Sequence, residues 1–194
     1  MSTPLAPVSL RTARLCITTA VPADAAAVVD YLLRNRDYHA STSPLLPADY
    51  YDVGAWQRRI EGHAVERERA TALRLLLRAV DDIDGPVIGL ASFTNIVWGH
   101  FRACYLGYAI DQRVEGRGLM PEALAAALEH VFGVLRLHRV MANHLPENHR
   151  SAAVLQRLGF VREGLAPAYL YINGGWRDHV LTAKTSPYPS VPEV

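Results

Sequence analysis

Cysteine is scarce: Cys16 and Cys104 are the only two in 194 residues, with no CxxC and no spacing that suits zinc. A disulfide-stapled scaffold and a cysteine metal centre are thereby excluded, and two unpaired, strand-borne thiols in a reducing compartment are expected. An excess of charge of one sign is also missing. The formal net charge is +1, so no strong field argues for nucleic acid or an anionic membrane surface. No run approaches the roughly 18 apolar residues needed to span a bilayer. The opening MSTPLAPVSL lacks a basic segment followed by an apolar one, so no signal peptide is expected and a cytoplasmic location is. Internal repeats are absent. The eight histidines form no ligand pattern such as HExxH, and no metal is expected.

What is present reads as one α/β domain over residues 8–187, followed by a proline-rich tail, 188–194, expected to be disordered. Half the residues are apolar and a fifth are charged, enough for a buried core. Residues 9–20 read as a first strand, with Leu15 and Ile17 on one parity. From Pro22 to about Arg36, Val28, Val29, Leu32 and Leu33 recur at helical spacing. The long loop STSPLLPADYYDVG suggests a binding or lid element. A charged helix, about Trp56 to Arg69, precedes a hairpin of 73–80 and 87–95 and then a strand at 103–110. Leu124, Leu128, Val131, Phe132 and Leu135 mark a further helix. A buried strand at 139–145, a short helix at 148–160 and two last strands around NGG (173–175) complete a β-α-α-β-β-β-α-β-α-β-β order and a mixed sheet.

The stretch DQRVEGRGLMPEAL, 111–124, places two glycines in front of a helix start. Exposed N–H groups and the dipole at a helix N-terminus favour an anion, and glycine permits close approach of a ligand to the backbone. A P-loop is excluded because no GK[S/T] follows. A dinucleotide fold needs GxGxxG at a first βα turn, whereas this is GxG late in the chain. RxxGxG, read as Arg113, Gly116 and Gly118, fits the pyrophosphate of coenzyme A. The motif alone leaves that ligand and a plain helix-leading turn both open.

A second segment narrows the choice. Asn148-His-Arg-Ser151 followed by AAVLQRLGF reads as an N-cap, a helix and a Schellman-type end at Gly159 and Phe160. One strand after RxxGxG, and together with RTARL, IGLASFTN, HFRACYLGYAI, GRGLMPEAL, RLGFVREG and NGGWRDHVLTA, it resembles the RimJ/RimL branch of the GNAT N-acetyltransferase superfamily. The resemblance covers about residues 8–187. It implies a central, mostly antiparallel mixed sheet with flanking helices, whose strands carrying YAI and MANHL splay apart to admit the pantetheine arm of acetyl-CoA. Backbone groups near Ile110 would hold the pantetheine and polarise the thioester carbonyl. The N–H groups of Gly116, Arg117, Gly118, Leu119 and Met120 would take the pyrophosphate, with Arg113 and Asn148 framing the site.

The acid–base pair of many relatives, a glutamate in the splayed strand and a tyrosine in the next helix, falls here on Asn143 and Leu155, neither of which titrates. A glutamate used by RimL-like enzymes falls at about Leu170. Ser151 is the substitute that the resemblance implies, hydrogen-bonding the departing sulfur, with helix capping as the competing role. An α-amine titrates near 7.7–8.0, so roughly a tenth is neutral at pH 7, whereas a lysine demands some three further units, around 4 kcal/mol. A site without a carboxylate base therefore suits N-terminal amines, with a water held by Asn143 or Tyr105 as proton relay. Tyr105 reads equally as a core residue, and Glu122 as a charge favouring the helix dipole. Asp178 reads as the partner of a nearby arginine or as a group facing the acceptor ammonium. Tyrosines of 38–52 shape an acceptor groove or cover the sheet edge.

The expected activity is acetyl transfer from acetyl-CoA to a protein N-terminus, an alanine of a small-subunit ribosomal protein, by a monomer or homodimer. A small-molecule or aminoacyl amine as acceptor, and a non-catalytic CoA-binding or ribosome-associated module, are the alternatives.

Overall fold

The computed structural model describes residues 3–188, so the expected tail lies, from 189 on, outside the described residues. Tyr188, the last described, packs against the core and donates its phenol to Glu129. The strands are β1 (Ser9–Arg11), β2 (Leu15–Thr19), β3 (Leu73–Ala79), β4 (Gly89–Val97), β5 (Ala103–Ile110), β6 (Arg139–Met141), β7 (Val161–Ile172) and β8 (Gly175–Thr185). The helices are α1 (Ala25–Arg34), α2 (Arg36–His39), α3 (Val53–Glu68), α4 (Leu119–Glu129) and α5 (His149–Arg157). One eight-stranded sheet runs in the order β1-β2-β3-β4-β5-β6-β8-β7, antiparallel throughout except for parallel β5 and β6.

Both sheet faces are covered, which explains the uninterrupted apolar run LRLLLRA in β3. Leu73, Leu75 and Leu77 enter the core under α4 and α5, while Leu76, one step out of phase, packs with Val28, Tyr31, Trp56 and Ile60 of α1 and α3. Cys16 and Cys104 are free and buried on β2 and β5, as expected, and burial pushes the Cys104 thiol up to about 12. Arg78 is buried by pairing with Asp24 at 2.8 Å and donating to the Gly85 carbonyl at 3.1 Å, the pattern a buried cation requires.

Several boundaries depart from the sequence reading. The single first strand is two, β1 and β2, because the chain bends at 12–14, where the Thr12 hydroxyl accepts from the Leu15 N–H at 3.0 Å. The loop after α1 holds a helical turn, α2, followed by a short 3-10 turn at Ala40–Thr42. The helix from 119 loosens into a π-helical turn at His130–Val134. The strand expected over 139–145 is regular only to Met141. Beyond that, His144 forms an isolated bridge to Val180 of β8.

That last departure creates the splay. β5 and β6 pair only through Ala103, Cys104 and Tyr105 against Arg139, Val140 and Met141. From Leu106 to Ile110, β5 has β4 on one side and no strand on the other. Among the described residues, no helix is long and apolar enough to cross a membrane.

Candidate active site

The open side of β5 leads into a cleft of about 1160 Å³. Leu90, Ala109 and Tyr31 belong to one face of the sheet, Tyr108 and Met120 to the other, and all five line the cleft, so it passes through the splay from face to face. At one end stands the start of α4. Beside that end Tyr38 donates to Glu115, just ahead of Gly116, and Tyr50 and Tyr51 line the cleft as well, Tyr50 also packing on the core under α1 and α3.

The turn before α4 is held by buried polar groups. Asp111 is fully buried. Its carboxylate accepts from Arg113 N at 3.0 Å and Nη2 at 2.9 Å, and from Arg34 Nε at 3.2 Å and Nη2 at 3.0 Å. Burial alone would raise its pKa. The hydrogen bonds from Arg113 and then Arg34 outweigh it and hold the carboxyl well below the usual carboxylate range. Asn35, also fully buried, donates to the Tyr31 carbonyl at 2.8 Å and accepts from Gln112 N at 2.9 Å, tying the end of α1 to the same turn.

Gly116 and Gly118 adopt φ of +74° and +75°, the left-handed region glycine favours. Gly118 N-caps α4 without a side chain. The N–H groups of Gly116, Gly118, Leu119 and Met120 therefore open onto the cleft with no acceptor among the described residues, and a Cβ at Gly116 would meet nothing within 4 Å. These features fit a phosphate-bearing ligand. Arg113 folds back onto Asp111, and the Arg117 side chain is exposed. Neither lines the cleft.

Glu122 is more than a dipole-compatible charge. It accepts from Thr12 Oγ1 at 2.6 Å, Arg14 N at 3.0 Å and Arg14 Nε at 2.7 Å, and Arg14 Nη1 donates to the Arg117 carbonyl at 2.9 Å. The β1–β2 corner thus braces the glycine turn. No local pattern in the sequence points to this, since Arg14 and Glu122 are 108 residues apart.

On the far bank, Asn148 caps α5 by accepting from Ser151 N at 3.0 Å. The helix ends in the expected Schellman pair, Phe160 N to Leu155 O at 3.0 Å and Gly159 N to Gln156 O at 3.0 Å. The Ser151 hydroxyl is free of the cap and lies 2.7 Å from the Tyr108 phenol oxygen. Burial pushes that phenol up to about 12, although the Ser151 bond lowers it. Sequence reasoning missed Tyr108. Its parity, opposite to Tyr105 and shared with Cys104 and Leu106, is the signal that places it on the α5 side.

Tyr105 and Asn143 are brought together, but apart from Ser151. Asn143 Nδ2 donates to Tyr169 Oη at 3.0 Å, its Oδ1 accepts from Thr182 N at 3.3 Å, and Tyr105 hydrogen-bonds Tyr169. This cluster sits on the opposite strand parity and does not line the cleft. Asp178 neither pairs with an arginine nor faces the cleft: it accepts from Ala168 N at 2.8 Å at the bulge of β7, where Ala168 has φ +47°. Ile110, Gly116, Gly118, Leu119, Met120, Asn148 and Ser151 do line the cleft. Among the described residues, no three His, Cys, Asp or Glu side chains gather as a metal site would need.

A model described as the acetyltransferase (GNAT) domain matches residues 14–161. The [ribosomal protein uS5]-alanine N-acetyltransferase of Escherichia coli K12 is 41% identical over 180 residues, covering 93% of this chain and 92% of that protein. A probable N-acetyltransferase of Bacillus subtilis, YjcK, is 33% identical over 79% of this chain and 83% of its own length. The crystal structure of ribosomal-protein-S5-alanine acetyltransferase from Vibrio fischeri superposes with a TM-score of 0.89 at 33% identity, covering 95% of this chain and all of that one. Mycobacterium smegmatis RimJ in complex with CoA-disulfide gives 0.84 at 29% identity, over 95% of this chain and 90% of that one. With a splayed sheet, a glycine turn opening on the splay and these relatives along nearly its whole length, the chain belongs to the GNAT acetyltransferase family.

Proposed function

We propose that this chain transfers the acetyl group of acetyl-CoA to the α-amine of a protein N-terminus, the N-terminal alanine of ribosomal protein uS5, in the cytoplasm. The observation that carries the reading is the through-sheet cleft, lined by the glycine turn at the start of α4 and by the tyrosines of 38–52. The relative at 41% identity supplies the acceptor. The catalytic unit is residues 8–187.

Acetyl-CoA supplies a thioester whose carbonyl is open to attack by an amine. The N–H groups of Gly116 to Met120 would hold its pyrophosphate, with Arg113 keeping the turn in shape through Asp111 and Arg117 flanking it. The backbone beside Ile110 would orient the acyl arm. Ser151, backed by Tyr108, is suited to pass a proton to the leaving sulfur, because a buried neutral phenol replenishes the hydroxyl. Asn143 and Tyr105, joined through Tyr169 outside the cleft, support the strand edge from behind and do not reach the reacting groups.

The test is thiol release from acetyl-CoA with peptides beginning Ala, Ser or Met, and with a blocked peptide bearing a free lysine. Preference for the alanine peptide is expected. Turnover on the lysine peptide alone would sink the N-terminal assignment.

A further inference from the structure

Among the described residues, His39 is the one histidine that lines the cleft. It ends α2, a helical turn between the helix and the loop read from the sequence. Its ring hydrogen-bonds the backbone of Ile110, the last residue of β5. Its Nε2 lies 3.4 Å from the Tyr31 phenol oxygen, and the Tyr38 ring stands 5.0 Å away, centroid to centroid. Ile110 follows Tyr108 by two positions on one strand, about 6.6 Å along it. The Ser151–Tyr108 pair and the His39 ring therefore address neighbouring points of the same open strand edge.

We propose that His39 is the proton acceptor for the incoming α-ammonium group. The inference rests on the N-terminal acetylation reading above and supplies the base which that reading lacks. The other acidic or basic groups of the cleft suit the task less well. Glu115 is engaged by the Tyr38 phenol and by Arg150 Nη1 at 3.1 Å. Asp37 stands exposed to solvent on α2. The Tyr31 phenol is buried and its pKa raised, so it stays protonated.

The groups facing the ring set its state. Burial lowers its pKa below the ordinary imidazole value, and Arg150 of α5 lowers it further. The Ile110 backbone bond, Asp111 and Glu115 oppose without cancelling this. His39 is thus neutral at the working pH, with one nitrogen turned to the Ile110 backbone and Nε2 met only by the 3.4 Å contact with the Tyr31 phenol, which the incoming ammonium displaces. Proton by proton, R–NH3+ gives one H+ to the imidazole, and the freed amine attacks the thioester carbonyl. The C–N bond forms, the C–S bond breaks, and the second amine proton goes to the thiolate through Ser151. The imidazolium then releases its proton to solvent. The products are the N-acetyl amide, the thiol and one H+.

The experiment compares kcat/KM against pH on an alanine-initiated peptide for the wild type, His39→Asn and Asp37→Asn. Asparagine keeps a donor toward the Ile110 backbone but is no base. His39→Asn is expected to lose about tenfold at pH 7, the neutral fraction of an α-amine, and about twofold or less at pH 9. Asp37→Asn is expected to follow the wild type. An unchanged profile in His39→Asn, an equal loss at every pH, or a change confined to Asp37→Asn would overturn the assignment. Independently, imidazole NMR on the wild-type protein without coenzyme should show the His39 ring titrating below 6.5 and shifting on addition of the peptide. A titration above 7.5, or no response to peptide, would also overturn it. Wild-type turnover on the lysine peptide and not on the alanine peptide is the separate failure of the N-terminal reading.

Discussion

The Ser151 hydroxyl and the Tyr108 phenol oxygen stand 2.7 Å apart across the gap between α5 and β5, 43 residues from one another in the chain. The contact joins the two banks of the cleft, and it gives a serine with an ordinary capping position a second, chemical partner. If the pair passes a proton to the departing sulfur, Ser151→Ala and Tyr108→Phe should each lower kcat by roughly 10²-fold while CoA affinity changes little. Steady-state kinetics beside calorimetry with CoA decides it. An unchanged kcat in Ser151→Ala would leave Ser151 as helix support only.

Asp111 is the buried anion on which Arg34 and Arg113 converge. Replacing it with alanine leaves Arg34 with Asp30 and the Val87 carbonyl but removes the buried acceptor shared by two guanidinium groups, and should destabilise the fold by about 2–3 kcal/mol at pH 7, read by urea unfolding. The sign with pH is fixed by the folded carboxyl titrating below its unfolded value. Its contribution is fully present above the unfolded pKa, near 4, and is lost as pH falls through the folded one. The gap between wild type and Asp111→Ala should therefore narrow below about pH 4 and stay constant from pH 5 to 8.

Gly116 has room for a side chain but a backbone that resists one, since φ is +74° and no atom lies within 4 Å of an added Cβ. Gly116→Ala should lose about 1–2 kcal/mol of stability, measured by thermal or urea unfolding, and weaken CoA binding. Gly116→Asn should lose distinctly less, because asparagine tolerates the left-handed region. Equal losses would show that sterics, rather than backbone conformation, dominate there.

Arg14 supports the glycine turn from 103 residues away through the Arg117 carbonyl. Arg14→Ala removes its hydrogen bonds to Glu122 and to the Arg117 carbonyl; loss of the one that reaches the turn, roughly 1.5 kcal/mol, should weaken CoA binding by about tenfold. Titration calorimetry at constant ionic strength measures it. An unaltered affinity would mean that Asp111 and Asn35 hold the turn unaided.

Much of the cofactor side is local in sequence and so can be read there. The glycines at 116 and 118, Pro121 in the first turn of α4, the Asn148 cap and the Gly159–Phe160 end each act within a few residues, where backbone conformation answers to residue type. The contacts of the β5 side chains are not local. Tyr105 and Tyr108 differ only in parity, yet one joins Tyr169 and Asn143 and the other Ser151, because successive strand residues face opposite sides of the sheet. The sequence offers Asp178 a nearby arginine or the acceptor ammonium as partner. Asp178 serves a third, the backbone of a bulge in β7 that no residue pattern announces.

By itself, the sequence determined most of the element order, the helix ends and the glycine turn, since capping, periodicity and turn chemistry are short-range, while its resemblance to the RimJ/RimL branch pointed to the family. Tertiary structure alone decided where β6 stops pairing with β5, that Asp111 and Asn35 lie at full burial, that Arg14 reaches Arg117, and that His39 meets Ile110. Each depends on segments tens of residues apart being packed together, and the burial and hydrogen bonding that give these polar groups their character exist only once that packing is complete.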